Sequence, residues 1–176
     1  MTIMVVGALL VLGALATGRT PAPGSPTFPP AGTTTGPAGA AAATTRSLIS
    51  STLGSAGFQI QDVQTTYRPA EAARLTAAPR VVVRAVIPDD PDHGRLVIYE
   101  FVTTAVATSA AEEQAAYVAS GIGQIQFPPD TQFTIRVIGS TVVFYSWSEA
   151  NSPDFERATA ISTALQELGF GVVVPS

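Results

Sequence analysis

Apolar residues dominate the run Arg95–Thr104, RLVIYEFVTT, in which Glu100 interrupts the apolar positions. Because successive side chains of a strand point to opposite faces, one face of this run carries Glu100, and the other carries only apolar or aromatic groups. Those groups are Val97, Tyr99 and Phe101. The pattern predicts a strand with one face on a core and one face only partly wet. The segment SAAEEQAAYVASG after it is typical of a helix.

The same pattern returns in the run Thr141–Trp147, TVVFYSW, which precedes a second helix-like segment, SPDFERATAISTALQELG. The strand-like run Thr131–Ile138 comes before it, and a Gly-Ser pair between the two runs suits a tight hairpin turn. Residues 80–121 and 131–169 thus both read as a hairpin followed by a helix. These matches are consistent with a ββα duplication but are too short to prove one.

The remaining segments complete an α+β pattern. Thr44 or Thr45 can cap a first helix that Gly57 closes, and FQIQDVQT after it alternates like a strand. PAEAARLTAAP, residues 69–79, suits a short helix or a loop. RVVVRAVI, Arg80–Ile87, is rich in β-branched residues, which favours a strand.

Two capping signals indicate where the later helices begin. Ser109 and Glu112 form a capping box for the helix after the first hairpin, and Ser152 can cap the last helix. FGVVV, Phe170–Val174, reads as a terminal strand. Together the segments predict a two-layer α+β fold, in which helices cover one face of an antiparallel sheet.

Residues 1–18 form a hydrophobic segment that reads as a signal peptide or a membrane anchor. Thr2–Gly18 carries no charge, and its length reaches the lower limit of about 17 apolar residues for a membrane span. Ala14-Leu15-Ala16 matches a signal-peptidase site, although no Arg or Lys precedes the apolar run. Both interpretations place the rest of the chain outside the cytoplasm.

Residues 19–43 form a linker dominated by Pro, Thr, Gly and Ala. Such a segment cannot bury enough surface to offset the entropy of ordering, so it is predicted to be a disordered, extended spacer. Residues 44–176 are predicted to form one globular α+β domain. At this length no disulfide or metal is needed to stabilise it.

Composition excludes several functional classes. The chain of 176 residues has a net charge of −4, no cysteine and no lysine. A nucleic-acid-binding protein needs a basic face that this composition does not supply. The absence of cysteine also removes thiol nucleophiles and thiolate metal sites.

The turn PDDPDHG holds the strongest candidates for chemistry. His93 is the only histidine, and a triad that used it would need a serine and a carboxylate from elsewhere in the fold. No G-x-S-x-G motif is present, so no catalytic residue and no cofactor are predicted. Asp89, Asp90 and Asp92 are hard oxygen ligands and weak candidates for calcium. Their spacing matches no EF-hand, which favours a solvated acidic turn.

Four aromatic residues are candidates for a partner surface. Tyr99, Phe101, Tyr145 and Trp147 fall near the ends of the two predicted central strands. We expect them to pack within the sheet. If one sheet face is uncovered, they would instead form an exposed aromatic surface suited to a protein partner or a ligand.

The order of elements from Leu48 onward carries a resemblance. A helix, a Gly-aromatic strand, an apolar hairpin, a VIYEF strand with an Ala/Glu-rich helix, and a VVFYSW hairpin follow one another. This order resembles uncharacterised extracytoplasmic proteins, secreted or membrane-anchored, of Chloroflexota-type bacteria. The resemblance implies an extracytoplasmic location but no activity, and no site residue is carried over from it.

The favoured hypothesis is a membrane-tethered, extracytoplasmic, non-catalytic interaction module, for example an accessory subunit of a membrane complex. It would contact the membrane through residues 2–18 and bind a protein partner, but no nucleic acid. Two alternatives stay open. One is a secreted protein that binds a small molecule or calcium, and the other is a hydrolase with an unrecognised site, which a deep pocket holding His93 would favour.

Overall fold

A computed structural model describes residues 38–63 and 66–176 of the chain. The elements in these ranges are five helices and six strands, and the two longest strands form one tight hairpin. In chain order they are α1 (Ala40–Ser55), β1 (Ile60–Asp62), α2 (Ala73–Ala77), β2 (Arg80–Ala85), β3 (Arg95–Glu100), α3 (Thr104–Ala119), α4 (Gly121–Gln124), β4 (Thr131–Ile138), β5 (Thr141–Ser148), α5 (Phe155–Leu165) and β6 (Phe170–Gly171).

The strands form one antiparallel sheet in the order β1-β2-β3-β5-β4-β6. The two predicted central strands, β3 and β5, pair with each other at the middle of the sheet, in a register that places Leu96 opposite Tyr145. Gly139 adopts a positive φ of 57° in the turn between β4 and β5, which explains why glycine suits that hairpin. The α+β class and the antiparallel sheet are therefore confirmed.

Helices cover both faces of this sheet, so the predicted arrangement with helices on one face is wrong. α1 and α5 pack on the face that carries Leu96 and Tyr145. α2 and α3 pack on the opposite face, against Val97 and Phe144. β3 and β5 are apolar on both sides, and each large apolar side chain contributes about 1.5–3 kcal/mol when buried. A single helix layer would leave one of these apolar faces in water.

The folded domain begins before the predicted boundary at residue 44, because α1 already starts at Ala40. Thr44 and Thr45 lie inside α1 and do not cap it. The cap comes from the distant strand β3, where the Glu100 carboxylate accepts hydrogen bonds from the backbone N–H groups of Gly39 (2.6 Å) and Ala42 (3.1 Å). A carboxylate at a helix N-terminus is favoured by the helix dipole as well as by these bonds.

Two other predicted helix starts are wrong. α3 starts at Thr104, and its cap is Thr103, whose side chain accepts from the N–H of Val106. The predicted cap Ser109 therefore lies within the helix. α5 is capped by Asp154, because the hydroxyl of Ser152 donates instead to the Asp90 carboxylate.

The predicted duplication stays a prediction. α3 and α5, which follow the two hairpins, pack on opposite faces of the sheet. α1 and α5 share one face, and they lead to the strands β1 and β6 at opposite edges. A two-fold axis between the antiparallel strands β3 and β5 would therefore relate α1 to α5, and not α3 to α5.

The predicted signal or anchor, residues 1–18, lies outside the described residues, as does the linker up to residue 37. Within the two described ranges, no helix has both the length and the apolar character needed to cross a bilayer.

Candidate functional site

The predicted aromatic surface does not exist as one patch. Tyr99 and Tyr145 are completely buried and Trp147 nearly so. Tyr99 belongs to the core beneath α3, whereas Tyr145 and Trp147 belong to the core beneath α1 and α5. The prediction of a partner surface is therefore wrong for these three residues, because both sheet faces are covered. Phe101 alone stays half-buried.

The acidic turn between β2 and β3 does not bring its three aspartates together. Asp89 is exposed, and Asp92 forms an ion pair with Arg95 at 2.8 Å. Asp90 is 2% exposed, so it is not the solvated residue that the sequence suggested. In the part of the chain that the structure describes, no three His, Asp or Glu side chains are grouped as metal ligands would be.

Asp90 is a buried carboxylate that binds His93 in its own turn and Ser152 in the segment before α5. Its Oδ1 atom lies 2.5 Å from Nδ1 of His93, and its Oδ2 atom accepts from the Ser152 hydroxyl just before α5. Burial raises the pKa of Asp90, but the hydrogen bonds from Ser152 and His93 outweigh this effect and leave the pKa below its ordinary value. The main chain of the turn is fixed as well, since the Tyr145 hydroxyl donates to the His93 carbonyl at 2.8 Å.

His93 lines a pocket of about 470 Å³, which is within the range of sites for small molecules. We call it the His93 pocket. Because Asp90 occupies Nδ1, the ring nitrogen left for a ligand is Nε2. The pocket is lined by Tyr67, Arg68, Pro69, Ala70, Asp92, His93, Gln126, Phe127, Pro128, Thr131, Ser146, Trp147 and Ser148.

The segment before α2 forms one wall of this pocket and is held by the buried side chain of Gln114 on α3. The Gln114 amide accepts from the N–H of Ala72 at 2.7 Å and donates to the carbonyl of Ala70 at 3.0 Å. Glu71, between them, accepts from both Arg80 and the Tyr99 hydroxyl. These bonds hold in place the loop that carries the wall residues Tyr67 and Arg68.

Tyr67 is itself fixed within this wall. The guanidinium of Arg95 lies 5.0 Å from the centre of its ring, a cation–π contact. Burial raises the pKa of the Tyr67 hydroxyl, while the positive charge of Arg95 acts in the opposite direction. The hydroxyl therefore stays protonated at neutral pH and can donate a hydrogen bond.

The Asp90–His93 pair has the geometry that orients a histidine base, but its neighbours do not complete a serine triad. The hydroxyl of Ser148 donates to Asp130, and that of Ser152 donates to Asp90 itself. No serine hydroxyl of the described residues is hydrogen-bonded to the His93 ring. The arrangement can bind a ligand or accept a proton, but an activated serine nucleophile is not assembled.

A second concave surface lies at the opposite end of β3. We call it the Phe101 groove; it measures about 890 Å³. Its exposed apolar residues include Val102, which is 87% exposed, and Val106, which is 37% exposed. The groove is lined by Gly39, Arg74, Ala77, Ala78, Pro79, Glu100, Phe101, Val102, Val106 and Ser140.

Comparison of the chain with protein-family models, with curated proteins and with solved structures found no match. The resemblance to extracytoplasmic proteins of Chloroflexota-type bacteria consequently stays a prediction.

Sequence reasoning found His93 and Asp90 but missed the other half of the site. Tyr67, Arg68, Glu71 and Gln114 are separated from the acidic turn by a strand or more, and no motif marks them. A weak signal existed for Gln114, an amide among alanines on the face of α3 that is otherwise apolar. Such a residue in a buried stripe predicts a specific hydrogen-bonding task.

Proposed function

We propose that this chain is a membrane-tethered, extracytoplasmic module that binds a partner protein through the Phe101 groove. The observation that carries the proposal is the position of the groove. Gly39, one of its lining residues, belongs to the short stretch through which residues 1–37 join the domain. The exposed apolar surface therefore lies next to Gly39, close to the start of the described part of the domain.

The chemistry of the groove suits an apolar segment of another protein. Val102 and Val106 present branched side chains to water, and Ala77 and Ala78 form a shallow floor beside them. Contiguous exposed apolar groups of this kind mark interaction sites more often than isolated ones do. Arg74, the cation of the lining, is engaged in an ion pair with Glu113 at 3.0 Å, so charge does not dominate recognition.

The occupant that this position favours is an integral membrane protein in the same bilayer. Residues 19–37 number fewer than twenty, and a Pro-rich spacer extends by about 3.1 Å per residue. An anchor at residues 1–18 would thus hold the groove within tens of ångströms of the membrane surface. Tethering of this kind raises the effective concentration of a partner that shares the membrane, so a modest groove is enough for binding.

The test is site-specific photo-crosslinking in native membranes. A photoreactive phenylalanine analogue at Val102 is expected to give a discrete adduct with an integral membrane protein, and the additional change Val106→Asp should abolish the adduct. Val173 is the matched control, because it is also a valine and is 86% exposed, but it lies near the other end of the chain. An adduct that forms equally from position 173, or only with lipid or a second copy of this chain, would contradict the proposal.

The tether requires a separate measurement, the intact mass of the protein isolated from its native source. A mass that starts at Met1 is expected for an anchored protein. A mass that starts at Thr17 would correspond to cleavage after Ala16 and would favour the secreted alternative.

A further inference from the structure

Arg68 is unusual among the arginines of the described residues. The others are engaged by carboxylates, by the amide of Gln61 or by backbone carbonyls at the end of α5. Arg68 makes no ion pair or side-chain hydrogen bond within the described ranges, and it lines the His93 pocket. The pocket acid Asp92 is already neutralised by Arg95, so Arg68 is the uncompensated charge of the wall.

The pocket wall also contains hydrogen-bond donors without acceptors. In the two described ranges, the buried side-chain polar atoms that lack a partner are Nε1 of Trp147 and Oγ1 of Thr131. Both residues line the His93 pocket. An indole N–H can only donate, and a buried donor without an acceptor is unfavourable. Among the described residues, the wall of the His93 pocket therefore holds a buried indole donor without an acceptor and, separately, the unpaired guanidinium of Arg68.

His93 adds a ring nitrogen to the same wall. Asp90 fixes the ring through Nδ1, which leaves Nε2 as the ring nitrogen that a ligand can contact. The other titratable groups that line the pocket are Tyr67, Arg68 and Asp92, and Asp92 pairs with Arg95 outside the lining. Phe127 and Pro128 add an apolar wall beside these polar groups.

We propose that the His93 pocket binds a small organic anion, a carboxylate or phosphate monoester on an apolar body. Arg68 is the principal recognition residue, since a guanidinium matches the geometry of both anionic groups. His93 in its protonated form donates a second hydrogen bond through Nε2, and Phe127 packs against the apolar body. This inference is independent of partner binding at the Phe101 groove, which lies at the other end of β3.

The chain provides its own probes for a test. Trp147 is its only tryptophan and His93 its only histidine, and both line this pocket. Tryptophan fluorescence and the ring signals of the histidine in NMR spectra therefore report on this site without labelling. The full chain in detergent is titrated with benzoate, with phenyl phosphate and with benzamide, which has the shape of benzoate but no charge.

Benzoate or phenyl phosphate is expected to quench Trp147 saturably and to shift the His93 ring signals, whereas benzamide has little effect. Arg68→Gln should weaken binding by about tenfold or more, the loss that corresponds to one charge-assisted hydrogen bond. Arg68→Lys, which keeps the charge but not the planar fork, should retain part of the affinity.

Arg84→Gln is the matched control, because Arg84 on β2 lies outside the pocket and binds Gln61. It should leave anion binding unchanged. Equal binding of benzamide, the absence of saturable binding by both anions, or an affinity that Arg68→Gln does not alter would each overturn the proposal. Far-UV circular dichroism verifies that Arg68→Gln, a change at an exposed residue, leaves the fold intact.

Discussion

At its Arg95 end, β3 emerges from a polar turn in which a buried aspartate holds His93 and Ser152. At its other end, the same strand reaches the exposed apolar residues of the Phe101 groove. Each end places one carboxylate at the start of a helix on the same sheet face: Asp90 binds Ser152 before α5, and Glu100 caps α1. The difference lies in burial, because Asp90 is 2% exposed and Glu100 is half-buried.

This difference shows that a charged residue at a strand end is not a functional signal by itself. Both carboxylates are engaged in holding the fold, and only Asp90 also contacts a titratable ring that lines a pocket. The polar end contains an indole N–H that has no acceptor among the described residues, and the apolar end contains valine side chains that are exposed to water. The two ends therefore suit different ligands, and substitutions should separate them.

The largest effect is expected from Asp90→Ala at the polar end. Removal of a buried carboxylate leaves the Ser152 hydroxyl and the His93 ring without their acceptor, which should lower the free energy of unfolding by about 3 kcal/mol. Urea denaturation measures the loss. Asp89→Ala, at the exposed neighbouring position, should change the free energy by less than about 0.5 kcal/mol. Equal effects of the two substitutions would show that Asp90 does not hold the turn.

The next largest effect compares one glycine at each end. A Cβ atom at Gly94 would lie 2.0 Å from the carbonyl oxygen of Ala85, a backbone atom of the paired strand. Gly94→Ala should therefore destabilise the protein by about 2–3 kcal/mol. At Gly39, the added Cβ would meet the flexible carboxylate of Glu100 at 2.9 Å, so Gly39→Ala should have a smaller effect. Thermal denaturation of both variants gives the order, and the reverse order would contradict this explanation.

Glu100→Ala tests the apolar end. The substitution removes the acceptor for two backbone N–H groups at the start of α1 and should lower the free energy of unfolding by about 1–2 kcal/mol. Hydrogen exchange should speed up in the first turn of α1 but not in α3. Glu112→Ala, at an exposed helical position, is the control and should be nearly neutral.

The smallest effect concerns pH. The pKa of Asp90 is lower in the folded protein than the value of about 3.9 in an unfolded chain. Its contribution to stability is thus complete above that pH and is lost as the pH falls through the folded-state pKa. Denaturation curves recorded at decreasing pH should show a shallower loss of stability for Asp90→Asn than for the parent. Parallel pH profiles would show that Asp90 is not responsible.

Part of the fold could be predicted because it depends on neighbours in the sequence. The β4–β5 hairpin follows from alternation and from a glycine in its turn, and the central position of β3 and β5 follows from their apolar character. Helix starts were predicted less well. Glu100 lies 61 residues from Gly39, and no local rule relates them.

The candidate site shows the same division. The acidic turn marked His93 and its three aspartates as candidates, but the hydrogen bond that Asp90 accepts comes from Ser152, which is 62 residues away. Arg68 and Trp147 come from separate segments that meet only in the folded sheet. No pattern in either segment predicts that Arg68 and Trp147 line the same pocket.

The amino-acid sequence by itself determined that β3 is a central strand, since a continuous run of apolar and β-branched residues favours a strand locally. Only the tertiary structure decided that both of its faces are covered, that Glu100 caps α1 and that Asp90 is buried. Those outcomes depend on which distant segments share a face of the sheet. Burial and hydrogen-bond satisfaction are properties of the packed chain, because the free energy of folding depends on all of its contacts at once.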